Sequence, residues 1–271
     1  MENKLHLFDV AFGYEVSPRW SLNVGIPLIT VERTAHGNDT VTHSAGIGDM
    51  SVGAKVWLFR PPTESGQNIQ VGFSMKLPTG NANATSQVGP NTVVVDQSIQ
   101  PGDSGTGLSI DYLAFKSIRR FTLFSSGVYL FNPKNTHTPT GWNEVAPRPP
   151  GYPGFSREGT VYSVADQYLF QAGVGYALPK LAGLALTGTG RIEGVPARDA
   201  FGGSDGFRRP GFAVSVGPGV IYSRGQNTWS VSVPLAVYRN RTRSVSDVER
   251  GSHGDAAFAD YLILVGYFRN F

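Results

Sequence analysis

Apolar and small polar residues alternate at period 2 along most of this chain. In "FAVSVGPGVIYS", Phe212, Val214, Val216, Pro218, Val220 and Tyr222 fall on one face, opposite Ala213, Ser215, Gly217, Gly219, Ile221 and Ser223. "IQVGFSMKLP" sets Ile69, Val71, Phe73, Met75 and Leu77 against Gln70, Gly72, Ser74 and Lys76. "DMSVGAKVWLF" opposes Met50, Val52, Ala54, Val56 and Leu58 to Asp49, Ser51, Gly53, Lys55 and Trp57. In "LALTGTGRIEG", Arg191 and Glu193 share the face of Thr187 and Thr189. Successive side chains of a strand point to opposite sides, so the pattern predicts strands with one apolar face. The last run, "ADYLILVGYFRNF", aligns Tyr261, Ile263, Val265, Tyr267 and Phe271, interrupted by Arg269. No segment carries a convincing helical period.

Eleven candidate strands follow, at 5–16, 20–34, 48–59, 68–80, 106–118, 121–132, 158–178, 183–196, 211–224, 228–242 and 257–271. Most have the roughly 9–11 residues, or slightly more, that a tilted strand needs to cross a bilayer. Their connectors alternate in length. The short ones are "SPR", "RPPTESGQN", "RR", "PKLAG" and "GQN"; the long ones include 81–105 and the Pro-rich 133–157. Short turns at one end and long loops at the other are the pattern of outer-membrane barrels. A soluble β-sandwich also alternates, but its second face would carry Lys and Glu into water. Here that face is mostly Gly, Ser, Thr and Ala with isolated charges, which suits a lumen. The expected fold is all-β: a single antiparallel up-and-down transmembrane β-barrel domain over 1–271, in the bacterial outer membrane.

Composition agrees. Charged residues make up 16% of the 271, against about 25% in ordinary domains, yet the mean hydropathy is only −0.14. Apolar residues facing lipid and small polar ones facing a lumen average to such a value. A net charge of +3 is too small and dispersed to argue for nucleic acid. With no Cys, disulfides and thiolate metal sites are excluded. No apolar run is long enough for a membrane-spanning helix, and "MENKLHLFDVAFGYE" has no signal-peptide core. Barrels of this class have even strand numbers and both termini in the periplasm. Eleven strands therefore lead to the expectation of one more, with a signal peptide, upstream of Met1; the rival is a hidden strand around "TVVVDQS" within 81–105.

Several phrases carry a family resemblance. "GIGDMSVGAKVWLF", "MKLPTGNAN" and "GYALPKLAGLALTGTG", together with the opening "FDVAFGYEVSPRWSLNVGIPL", resemble the outer-membrane proteins labelled MetA-pathway of phenol degradation. The resemblance implies a barrel of about twelve strands, loosely described as a transporter of hydrophobic or aromatic compounds. It also implies recognition by the barrel-insertion machinery through the C-terminal strand ending in Phe271.

Charges at midplane are costly on a lipid face, so Asp9, Asp49, Lys55, Lys76, Asp111, Arg191, Glu193 and Asp260 are expected to face the lumen. There they either pair as a structural plug or line a permeation path; sequence leaves both open. Trp142, Tyr152 and Phe155, in the Pro-rich loop, are candidates for a constriction that contacts an aromatic solute, with loop packing as the alternative. Trp20, Trp57 and Phe121 sit near short turns, and Tyr14, Tyr168, Tyr176, Trp229 and Tyr267 on outward faces near strand ends, as aromatic girdles would. "GIGD" lacks the context and Lys of a phosphate loop. Ser stands beside His in "THSAG" and "GSHGD", but adjacent side chains point apart, which disfavours a catalytic pair. His36 and His43 lack a third metal ligand. The expectation is therefore no enzyme, no cofactor and no metal, with membrane lipid and a small-molecule solute as partners. Function is expected to be passive uptake of small, hydrophobic or aromatic compounds; the alternative is a non-conducting barrel whose long loops interact at the surface.

Overall fold

The alternation is realised as a meander of antiparallel pairs in a computed structural model, which describes residues 2–34, 40–133, 136–137, 162–202, 204, 208–251 and 258–271. In chain order the elements are β1 (Glu2–Glu15), β2 (Trp20–Thr34), β3 (Val41–Ile47), β4 (Ser51–Trp57), β5 (Gln67–Lys76), β6 (Thr85–Val88), β7 (Asn91–Val94), β8 (Gly107–Ile118), β9 (Phe121–Phe131), β10 (Thr136–His137), β11 (Tyr162–Ser163), β12 (Gln167–Ala177), β13 (Leu184–Val195), β14 (Gly211–Arg224), β15 (Asn227–Ser232), β16 (Leu235–Arg241), the helix α1 (Val245–Arg250) and β17 (Leu264–Arg269). The main sheet runs β1-β2-β4-β5-β8-β9-β12-β13-β14-β15-β17, with β3 on β2 and β16 on β14. It curls into a half-barrel, the arrangement of an up-and-down β-barrel. Among the described residues the edge strands β1 and β17 do not pair with each other.

Two prolines account for where the observed strands are split. β3 and β4 both pair with β2, so 41–57 is one long strand broken at 48–50. The break lies opposite Pro27, which has no N–H to give the ladder; its carbonyl instead accepts from the Gly48 amide at 2.8 Å. β15 and β16 are likewise one strand along β14, interrupted at Pro234 and followed by a bulge near Val214 and Ser215. The strand expected at 48–59 thus begins seven residues earlier, at Val41, inside what the alternation reads as loop. The stretch "TVVVDQS" contains most of β7, but among the described residues β7 pairs only with β6, in a separate two-stranded sheet. It adds nothing to the barrel wall.

The two faces of the sheet differ as the alternation predicts. Phe8, Phe12, Leu22, Val52, Phe73, Leu108, Ile110, Val174, Val216 and Val220 lie exposed on the outer face. Rings band that face at both ends. At the turn end Phe121 meets Tyr176 at 5.0 Å, and Trp229 sits between Tyr222 at 5.8 Å and Tyr267 at 5.6 Å. Towards the loop end Tyr129 packs with Phe131 at 4.5 Å and Tyr168 at 6.5 Å. Trp57 is turned inward, edge-on to Phe115 at 6.0 Å.

No central hydrophobic core backs this surface among the described residues. Among the described residues the buried hydrophobic ones are Val31, Ala82, Ala84, Val95, Ile99, Val164 and Ala213. Four of them, Val31, Ala84, Val95 and Ile99, form one cluster with Ile29 against it. That cluster joins β2 to the connection between β5 and β8. The long 81–105 segment therefore folds back onto the inner face at the loop end.

Candidate functional site

The inner face is organised by strand register. Lys55, Gly72 and Asp111 are direct neighbours across β4, β5 and β8. A Cβ on Gly72 would stand 2.3 Å from the Asp111 carboxylate; the missing side chain lets the Lys55 ammonium come within 3.4 Å of Asp111 over the intervening strand. Lys76 holds two carboxylates, Asp103 in direct contact and Asp49 at 3.7 Å. Asp49 also accepts the amides of Gly80 at 2.9 Å and Asp103 at 3.2 Å. Both ends of the 81–105 segment are thereby fixed to β5. Gly80 and Gly102 cross there so closely that a Cβ on either would fall within 2.7 Å of the other's backbone.

Further round, Arg191 and Glu193 pair on β13; the Nε of Arg191 is buried without a hydrogen-bond partner. Gln171 Nε2 donates to Ser126 Oγ at 3.0 Å. Of the expected inward charges, Asp9 lies on the face of Gly25 and Ser51. Asp260 binds Arg239, which the register sets beside Ala213 on the inner face of β14. Trp142, Tyr152 and Phe155 lie outside the described residues.

The inner face is also less uniformly polar than the alternation implies. Leu113, Phe115, Phe124, Val128, Leu130 and Leu169 share the side of Asp111 and Gln171 by register. Val128, Leu130 and Leu169 join Ser51, Lys76 and Glu193 around a cavity of about 510 Å³. A second cavity, of about 650 Å³, lies at the turn end, with Phe59, Arg60, Asn68, Phe115 and Phe124 in its wall. The first juxtaposes a charged rim with an apolar floor.

Sequence reasoning missed the most connected groups, which lie in the long loops. Asp96 accepts Arg33 Nη1 at 2.8 Å from β2 and a fork from Arg209 at 2.9 and 3.1 Å. Burial pushes its pKa up, but the Arg209 guanidinium outweighs burial and holds it at about 2. At the rim Arg208 makes a fork to Asp199 at 2.7 and 2.9 Å, with both side chains buried. Buried Asp166 accepts from the amides of Asn132 and Ala200, each at 2.8 Å, and from the Tyr129 hydroxyl at 3.0 Å. A doublet "RRP" and scattered Asp residues give no local sign of such partners, because nothing in a period-2 pattern reports on contacts a hundred residues apart.

Ser44 and His43 do not form a catalytic pair: the Ser44 hydroxyl donates to the Ile99 carbonyl, while His43 lies exposed 3.9 Å from Glu32. Among the described residues no group of three His, Cys, Asp or Glu side chains could hold a metal.

A curled antiparallel meander, apolar outside and polar with charge pairs inside, defines a protein of the β-barrel class. Residues 12–252 match the family described as "Putative MetA-pathway of phenol degradation", and the chain belongs to that family. A search of curated proteins finds no significant match.

Proposed function

We propose that the protein is an outer-membrane barrel through which small hydrophobic or aromatic compounds pass passively, without catalysis. The carrying observation is the pairing of an exposed apolar outer face with the absence of a central core among the described residues. Burial of apolar surface is the main favourable term in folding. A chain that leaves Phe8, Phe12, Phe73 and Val265 outside gains that term only if hydrocarbon covers them, as it does around transmembrane barrels. The inner face then bounds the solute path. Its apolar strip on β8, β9 and β12 lies beside paired charges, so a molecule with an apolar body and one polar group meets both. The family's phenol-degradation description is compatible with that solute class. Insertion would proceed through recognition of the strand ending in Phe271 by the barrel-insertion machinery.

The clasp of 81–105 across the mouth favours a second reading, a closed barrel whose loops act at the surface. Planar bilayers carrying the full-length protein separate the two. Discrete conductance steps and flux of phenol or benzoate support the channel; bilayers as tight as protein-free ones, with no solute flux, refute it.

A further inference from the structure

The loop that closes the mouth is held by an arrangement that resembles a ligand in a site. Asp96 belongs to the segment between β5 and β8, yet its carboxylate is gripped by two arginines from distant parts of the chain. Arg33 comes from the inner face of β2 and Arg209 from the residues just before β14. The pairing with Arg209 spans 113 positions of sequence. Ser98 completes the cage, donating its amide at 2.9 Å and its hydroxyl at 2.7 Å to Asp96. Val95, just before Asp96, and Ile99, three residues after it, are fully buried against Val31 and Ile29. The protein thus places a carboxylate on a guanidinium pair and an apolar body on an aliphatic wall, both on the inner face.

We propose that Arg33, Arg209 and the Ile29–Val31 wall form a binding site for small carboxylates with an apolar body, aromatic carboxylates among them, which is occupied in this structure by the protein's own Asp96. Guanidinium forks match carboxylates geometrically and bind them with charge-assisted hydrogen bonds. An incoming aromatic carboxylate satisfies the same donors and covers the same wall. Asp96 is then released to solvent and 81–105 loses its anchor to both sides of the mouth. Acetate would satisfy the arginines but leave the wall wet; a neutral aromatic alcohol would do the reverse. A ligand shifts such an equilibrium only by its preference for the open state, and this one binds only where Asp96 has left. The inference rests on the channel reading for its purpose, since the site regulates access to the lumen.

The test uses the absence of cysteine from the chain. Ala84, 8% exposed in the cluster under the loop, becomes the single thiol in Ala84→Cys, reconstituted at full length in vesicles. Its reaction with a hydrophilic maleimide reads whether the loop has lifted. Benzoate is expected to raise the rate saturably, about tenfold or more, the scale set by losing charge-assisted hydrogen bonds. Acetate and benzyl alcohol at equal concentration should do far less. In the Ala84→Cys background, Asp96→Asn, which preserves shape, and Arg209→Ala should both label fast without ligand, and Arg209→Ala should ignore benzoate. A benzoate-insensitive rate, or an equal response to benzyl alcohol, overturns the proposal. So does slow labelling in both variants with their β-sheet circular dichroism intact. Labelling needs no flux. A benzoate response in a protein that passes no solute would keep this site and overturn the channel; flux with a loop indifferent to benzoate would do the opposite.

Discussion

Val216 on β14 gives the sharpest test of which face meets lipid. It lies on the outer face, 49% exposed, in a register row that runs Ser125, Ala172, Gly190, Val216 across β9, β12, β13 and β14. On β14 itself, Val216 is six residues from Tyr222 in the turn-end girdle and four from Phe212, whose ring meets Tyr238 at 5.8 Å towards the loop end. At about 3.3 Å per residue and a tilt near 40°, those rings lie roughly 15 and 10 Å away in depth. Val216 is therefore near the middle of an apolar belt about 25 Å tall. Lysine there is expected to cost about 2–4 kcal/mol. The matched control is Ser126→Lys, one residue on along β9 and on the inner face beside Gln171. It loses one hydrogen bond, worth about 1 kcal/mol, and keeps its ammonium in the lumen. Reversible urea unfolding from lipid vesicles should show Val216→Lys destabilised by well over the control. Equal losses, or a larger loss for Ser126→Lys, would refute the assignment of faces and with it the membrane argument.

Other expectations follow from particular contacts. Gly72→Val should push the Asp111 carboxylate off Lys55 and destabilise by about 1–3 kcal/mol, and adding Asp111→Ala should recover part of that loss in a double-mutant cycle. Arg208→Met strands the buried Asp199 carboxylate without its fork; a loss of about 3–5 kcal/mol at the rim is expected, read by hydrogen exchange at Asp166 and Asp199. For Asp96 the folded pKa lies below the ordinary value, so its contribution to the clasp is present above about pH 4 and lost as pH falls towards about 2. The shift corresponds to about 2 kcal/mol. A polarity-sensitive dye on Asn91→Cys, at the exposed tip of the β6–β7 hairpin, should report loop release in that window, and Asp96→Asn should abolish the transition.

The period-2 pattern by itself determined the strands, their two faces and the antiparallel meander with its alternating turns and loops, because side-chain direction along a strand is a local property of backbone geometry. It also marked the inward charges of β4, β5, β8 and β13, since a charge on the apolar face would have broken the alternation. Tertiary structure decided what those charges meet. Lys55 reaches Asp111 only because the register puts Gly72 between them, and register depends on pairing between segments that the alternation treats as independent. The continuation of β4 upward into β3, and its break opposite Pro27, were hidden for the same reason. Asp96 shows the limit most plainly: in sequence it is one acid in a polar connection. Its meaning arises only when the curvature of the sheet brings β2 and the approach to β14 to opposite sides of one mouth, close enough for a single carboxylate to bind both.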